Sequence, residues 1–125
     1  MNARGLRSMA LLLALGGAPA AFGCGICVED KVAATYDWDV VQHATAHHHV
    51  VVFAAVEAPA DPRALRAAAS RARGVDRGTA RAAANPRALS FALDPRQSNP
   101  LAALAAIERE PGLHGVRLTL IQVMR

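Results

Sequence analysis

At 125 residues, with three Phe, one Tyr and one Trp, the chain has room for one small domain whose core must be built largely from Ala, Val, Leu and Ile. The formal charge of +4 is not a nucleic-acid signature. Arg4 and Arg7 leave with the first segment, and 12 Lys+Arg against 10 Asp+Glu give +2 from Cys24 onward, with the arginines scattered.

The opening Met1–Arg7 carries two arginines and no acid, Met9–Leu15 is an unbroken apolar run, and Gly16–Ala21 are small residues broken by Pro19. This order of basic, apolar and small-residue regions predicts a secretory signal peptide over residues 1–23 and a periplasmic or secreted destination. The apolar run is far short of the roughly 20 residues that span a bilayer, so no stable membrane span is expected after cleavage. Cleavage is expected after Ala20 or after Gly23; the second cut makes Cys24 the new N-terminus, a position where lipid anchoring is a further, weaker expectation.

The next segment, 24–48, opens on Cys24-Gly25-Ile26-Cys27 and ends in a histidine cluster, His43, His47 and His48, that His49 continues. From Val28 to about Ala46 there is no Gly or Pro, and Glu29 and Asp30 suit the positive end of a helix dipole, which predicts one helix. Val28, Val32, Tyr36, Val40 and His43 fall near one face as a stripe able to pack on a sheet, while Trp38 sits among acids and marks a core edge or a contact surface.

Val50–Val56 is a β-branched run, apolar on both parities, and predicts a central strand covered on both faces. Asp61-Pro62 and Asn99-Pro100 each supply a cap followed by proline, predicting helices over 62–73 and from 100 to a stop at Pro111-Gly112. Thr79–Ala84 and Leu89–Leu93, divided by Asn85-Pro86, read as a hairpin, and 115–124 as a last strand. The resulting order over 49–125 is β-α-β-β-α-β. The expected class is therefore α+β, a ferredoxin-like sandwich of sheet and two helices with an added N-terminal helix. A free sheet edge in such a fold is able to recruit a partner strand or a second copy.

Two clusters carry candidate chemistry. Two residues separate Cys24 from Cys27, fifteen separate Cys27 from His43 and three separate His43 from His47, the spacing template of a two-cysteine, two-histidine zinc site. A continuous helix opposes it, because sixteen steps at about 1.5 Å hold the two halves roughly 24 Å apart. Taken separately, His43 and His47 project from one helix face within reach of one Zn²⁺ or Cu²⁺, with His48 or His49 as a third ligand. The competing explanation is that histidines gather at a helix C-terminus because their positive charge is favourable there. Cys24 and Cys27 suit a soft-metal clamp, a redox pair or, in an oxidising compartment, a closed disulfide.

Cys24-Gly25-Ile26-Cys27 is similar to the redox-active pair of thioredoxins, but follows a signal peptide where that family has a strand. The β-α-β-β-α-β order over 49–125 resembles, in layout, the heavy-metal-associated domain of copper chaperones and metal-pumping ATPases. That family carries its metal-binding cysteines between the first strand and first helix, whereas Glu57–Asp61 has none. The stretch CGICVEDKVAATYD resembles the start of small, uncharacterised secreted bacterial proteins. No Ser nucleophile elbow, phosphate-cradling Gly loop or paired-carboxylate motif is present. The expectation is a non-enzymatic, periplasmic, copper- or zinc-handling protein using Cys24, Cys27, His43, His47, His48 and His49. The alternatives are an interaction module with a structural Cys24–Cys27 disulfide and, behind it, a thiol-disulfide oxidoreductase.

Overall fold

The structure, a computed structural model, describes residues 28–125. The signal segment, both cleavage positions, Cys24 and Cys27 lie outside the described residues. In chain order the elements are α1 (Val28–Thr35), α2 (Trp38–His47), β1 (Val50–Val56), α3 (Pro62–Arg71), β2 (Arg81–Ala84), β3 (Arg87–Leu93), α4 (Pro100–Glu108) and β4 (Leu118–Met124). Both cap-plus-proline signals act as expected. Asp61 Oδ1 accepts from the Arg63 amide at 3.0 Å and Asn99 Oδ1 from the Ala102 amide at 2.8 Å, each ahead of a proline that needs no partner for its nitrogen.

The single helix expected from Val28 to Ala46 is instead two helices, broken at Tyr36 and Asp37. Asp37 is extended, with φ −141° and ψ 117°, and its carboxylate accepts from the Asp39 amide at 2.9 Å as the N-cap of α2. The same carboxylate accepts from Arg81 Nε at 2.9 Å. The buried Ser90 hydroxyl donates to the Thr35 carbonyl at 3.1 Å, occupying an acceptor that a continuous helix would use. Partners 44 and 55 residues away thus decide the break, which is why a stretch free of Gly and Pro conceals it. The straight rod that held the cysteines 24 Å from the histidines does not exist, and that objection to a joint site lapses.

The four strands form one antiparallel sheet in the order β2-β3-β1-β4. Every residue of β1 is buried, so the strand is central and covered on both sides, as its apolar run on both parities requires. Val50, Val52, Ala54 and Val56 face a core shared with Leu65 and Ala69 of α3 and Leu104 and Ile107 of α4. Val51 and Phe53 face the other way, onto Val40 and Ala44 of α2, with Val32 of α1 at the margin. The helices therefore lie in two pairs, one on each face. Val28 and Tyr36, expected on the packing stripe, are exposed.

Three boundaries are shorter than expected. Strand β2 begins at Arg81, because the Thr79 hydroxyl is used to close a loop, donating to the Asp76 carbonyl at 2.7 Å and accepting from the Ala92 amide at 3.1 Å. Helix α3 ends at Arg71, with Ala72 extended at ψ 141°. Strand β4 begins at Leu118, after Gly115 turns the chain at φ +77°; the Leu118 amide donates to Glu108 Oε2 at 2.7 Å. Among the described residues, no helix is long and apolar enough to cross a membrane.

Candidate metal centre

The site begins with how α2 ends. His48 takes the left-handed conformation, φ 59° and ψ 34°. Its amide donates to the Thr45 carbonyl at 3.3 Å and the His49 amide to the Ala44 carbonyl at 2.8 Å, the paired bonds of a Schellman motif. Glycine is the usual residue at that position; histidine is among the few others enriched there. The reversal brings His49, one residue before β1, back beside the last turn of α2, where His43 and His47 stack at a ring-centre distance of 4.4 Å.

The third contributor comes from the loop between α3 and β2. The Asp76 amide donates to the Ala92 carbonyl at 3.0 Å, and the Asp94 amide to the Gly74 carbonyl at 2.8 Å, so the loop is pinned to the end of β3. Gly74 permits this closeness. It has φ +86°, and a Cβ there would stand 3.1 Å from Ser98 Cβ and 3.2 Å from Leu93 Cδ1.

Asp76 Oδ2 meets His49 Nδ1 at 2.7 Å and His43 Nε2 at 3.0 Å. A carboxylate oxygen only accepts, so in this arrangement each of those ring nitrogens carries the proton. One ligand atom from each of His43, His49 and Asp76 lies within 4.8 Å of the others. Ligand atoms around a tetrahedral Zn²⁺ stand roughly 3.3 Å apart, given metal bonds of about 2.0–2.1 Å. Both imidazole-to-carboxylate spacings are already near that value, and the remaining adjustment falls to the two imidazoles. The side chains of His49 and Asp76 are 11% and 16% exposed, against 39% for His43, so the group is sheltered on one side and open on the other.

Behind His49 stands Asp94, whose Oδ2 is 3.6 Å from His49 Nε2. The Arg96 backbone N–H, the Gln97 amide and the Arg96 guanidinium all donate to this carboxylate, which holds its pKa down to about 2. Asp94 thus stays anionic beside the ring over the whole physiological range.

Of the six residues expected to bind metal, His43 and His49 converge. His47 lies alongside, its ring centre 5.7 Å from that of His49, and its Nδ1–H donates to the His43 carbonyl at 2.8 Å. His48 is exposed and, among the described residues, its side chain makes no hydrogen bond to the cluster; its contribution is the backbone turn. Asp76 and Asp94 were not anticipated. They lie 27 and 45 positions beyond His49, and the only local hint is an acid in a loop bounded by Gly74 and Gly78.

Compared with known proteins, no family pattern, no characterised protein and no solved structure matches the chain.

Proposed function

We propose that this is an exported, non-enzymatic metal-handling protein that binds Zn²⁺ or Cu²⁺ through His43, His49 and Asp76. The observation that carries the reading is the convergence of these three side chains from α2, the start of β1 and the α3–β2 loop, with all three ligand atoms within 4.8 Å. Two imidazoles and a carboxylate suit borderline divalent ions, not Cu(I), which prefers sulfur. Cys24 and Cys27 are the donors suited to a soft metal. The β-α-β-β-α-β order and the strand order β2-β3-β1-β4 support a ferredoxin-like split βαβ unit, here with α1 and α2 on its second face. The basic, apolar and small-residue order of residues 1–23 supports export to the periplasm.

Titration of the mature protein with Zn²⁺ and Cu²⁺ by calorimetry tests the reading. One ion is expected to bind per chain at the histidine site, with His43→Ala, His49→Ala and Asp76→Ala each weakening it at least tenfold. Affinities unchanged in all three variants, or no binding by the wild type, would refute the reading.

A second reading, an interaction module, draws on one observation. Trp38 is 59% exposed beside a groove of about 350 Å³ lined by Val41, Gln42, Thr45 and Ala46. Aromatic side chains left in water next to a concave surface are common anchors for a partner.

A further inference from the structure

We infer that Asp94 is a positioning residue for the metal site, acting through His49 by holding the proton of that ring on Nε2 so that Nδ1 is free to ligate. The inference rests on the metal-binding reading above and adds to it the tautomer and the outer carboxylate.

The argument follows the proton. In the ion-free arrangement His49 Nδ1 donates to Asp76 Oδ2 at 2.7 Å, so Nδ1 has no free lone pair. An ion placed between His43, His49 and Asp76 must take the Nδ1 lone pair, and the proton on Nδ1 leaves. The bound ring is then neutral only with a proton on Nε2, retained there or taken up from water as the Nδ1 proton is released to it. The acceptor facing that nitrogen is Asp94 Oδ2, at 3.6 Å. This is too long for a hydrogen bond and short enough to become one with a small tilt of the ring.

With Nε2 protonated, the contact to Asp94 becomes a charge-assisted hydrogen bond. Metal-ligating histidines commonly donate their second nitrogen to a carboxylate in this way, fixing the ring and raising its basicity.

Asp94 is built for the task. Its side chain is 8% exposed, and three donors, the Arg96 amide, Arg96 Nε and Gln97 Nε2, hold it at 2.9, 3.2 and 3.1 Å. Its own amide is tied to Gly74, two residues before Asp76, so the loop that carries the inner carboxylate is pinned to the residue that carries the outer one. A carboxylate serving only as a local turn cap has no need to face a half-buried imidazole.

The test compares Zn²⁺ and Co²⁺ binding by the full mature chain and by Asp94→Asn, which keeps an oxygen for the Arg96 amide but loses the charge. The expected result is a 10- to 100-fold weaker affinity with the ion-free fold intact by circular dichroism, the loss usual for an outer-shell partner. Nitrogen-15 NMR of Zn²⁺-loaded wild type supplies a second readout independent of folding of the variant. His49 is expected to carry a slowly exchanging proton on Nε2 and metal on Nδ1. An Asp94→Asn affinity within twofold of wild type, or metal on Nε2 of His49, would overturn the inference while leaving the site itself standing, provided His49→Ala and Asp76→Ala still lose the ion. If wild type binds neither ion, the site and the inference fall together.

Discussion

His48 sits at φ 59° with its side chain in solvent, a backbone state that costs a non-glycine residue roughly 1–2 kcal/mol. Since the residue supplies only the turn, His48→Gly is expected to stabilise the protein by about 1 kcal/mol, or several degrees in Tm, once the larger entropy of an unfolded glycine is subtracted. The same variant is expected to keep the wild-type affinity for Zn²⁺. Thermal melts and a metal titration of one preparation check both halves, and a lost affinity would place the His48 imidazole among the ligands. Here the sequence was informative about residue type and silent about role. Four histidines within seven positions announce a cluster, yet which of them meet depends on a left-handed turn that histidine, unlike glycine, does not advertise.

The break between α1 and α2 shows what local pattern misses one scale up. Asp37 is of the right type to cap a helix, but an acid within an unbroken helical stretch reads equally well as a solvated face. Its use as a cap depends on Arg81, which reaches it from β2. The Arg81 hydrogen bond, followed by the Asp39 amide, lowers the Asp37 pKa below its ordinary 3.8. Because the folded state holds this pKa down, its stabilisation is complete above pH 3.8 and is lost as the pH falls through the depressed value. Asp37→Ala is accordingly expected to lower the urea midpoint at neutral pH, with a deficit that narrows as the solution is acidified below pH 4; a deficit constant down to pH 2 would remove the ion pair from the explanation. The elements that were legible, β1, α3, β3 and α4, carry their signals within themselves: a doubly apolar run, two cap-plus-proline starts and an alternating strand. Those that were not, the α1–α2 break and the Asp76 loop, are decided by partners tens of residues away.

At the scale of the whole molecule, the candidate centre lies on the seam between the α1–α2 pair and the βαββαβ sheet layer. His43 belongs to the first, Asp76 to the second, and His49 to the join. An ion held there crosslinks the two parts. Saturating Zn²⁺ is expected to raise Tm, by about 2.7 kcal/mol of added stability at a hundredfold excess over Kd, and the gain should vanish in Asp76→Ala. A metal that stabilises that variant equally is acting elsewhere.

Strand β4 has a consequence for how the molecule behaves in company. It is an edge of the sheet, seven residues without a charge, the kind of ribbon on which stray chains nucleate fibres. Glu108 occupies its first amide, and a bulge interrupts its register opposite Phe53 and Ala54. Arg117 and Arg125 bracket it, so two copies laid antiparallel with Ile121 against Ile121 would set Arg117 against Arg125 at both ends. The repulsion is of the kind that salt screens within about 10 Å at 0.1 M. Self-association should therefore increase with ionic strength, visible as a rising mass in light scattering, and concentrated stocks should keep best in dilute buffer.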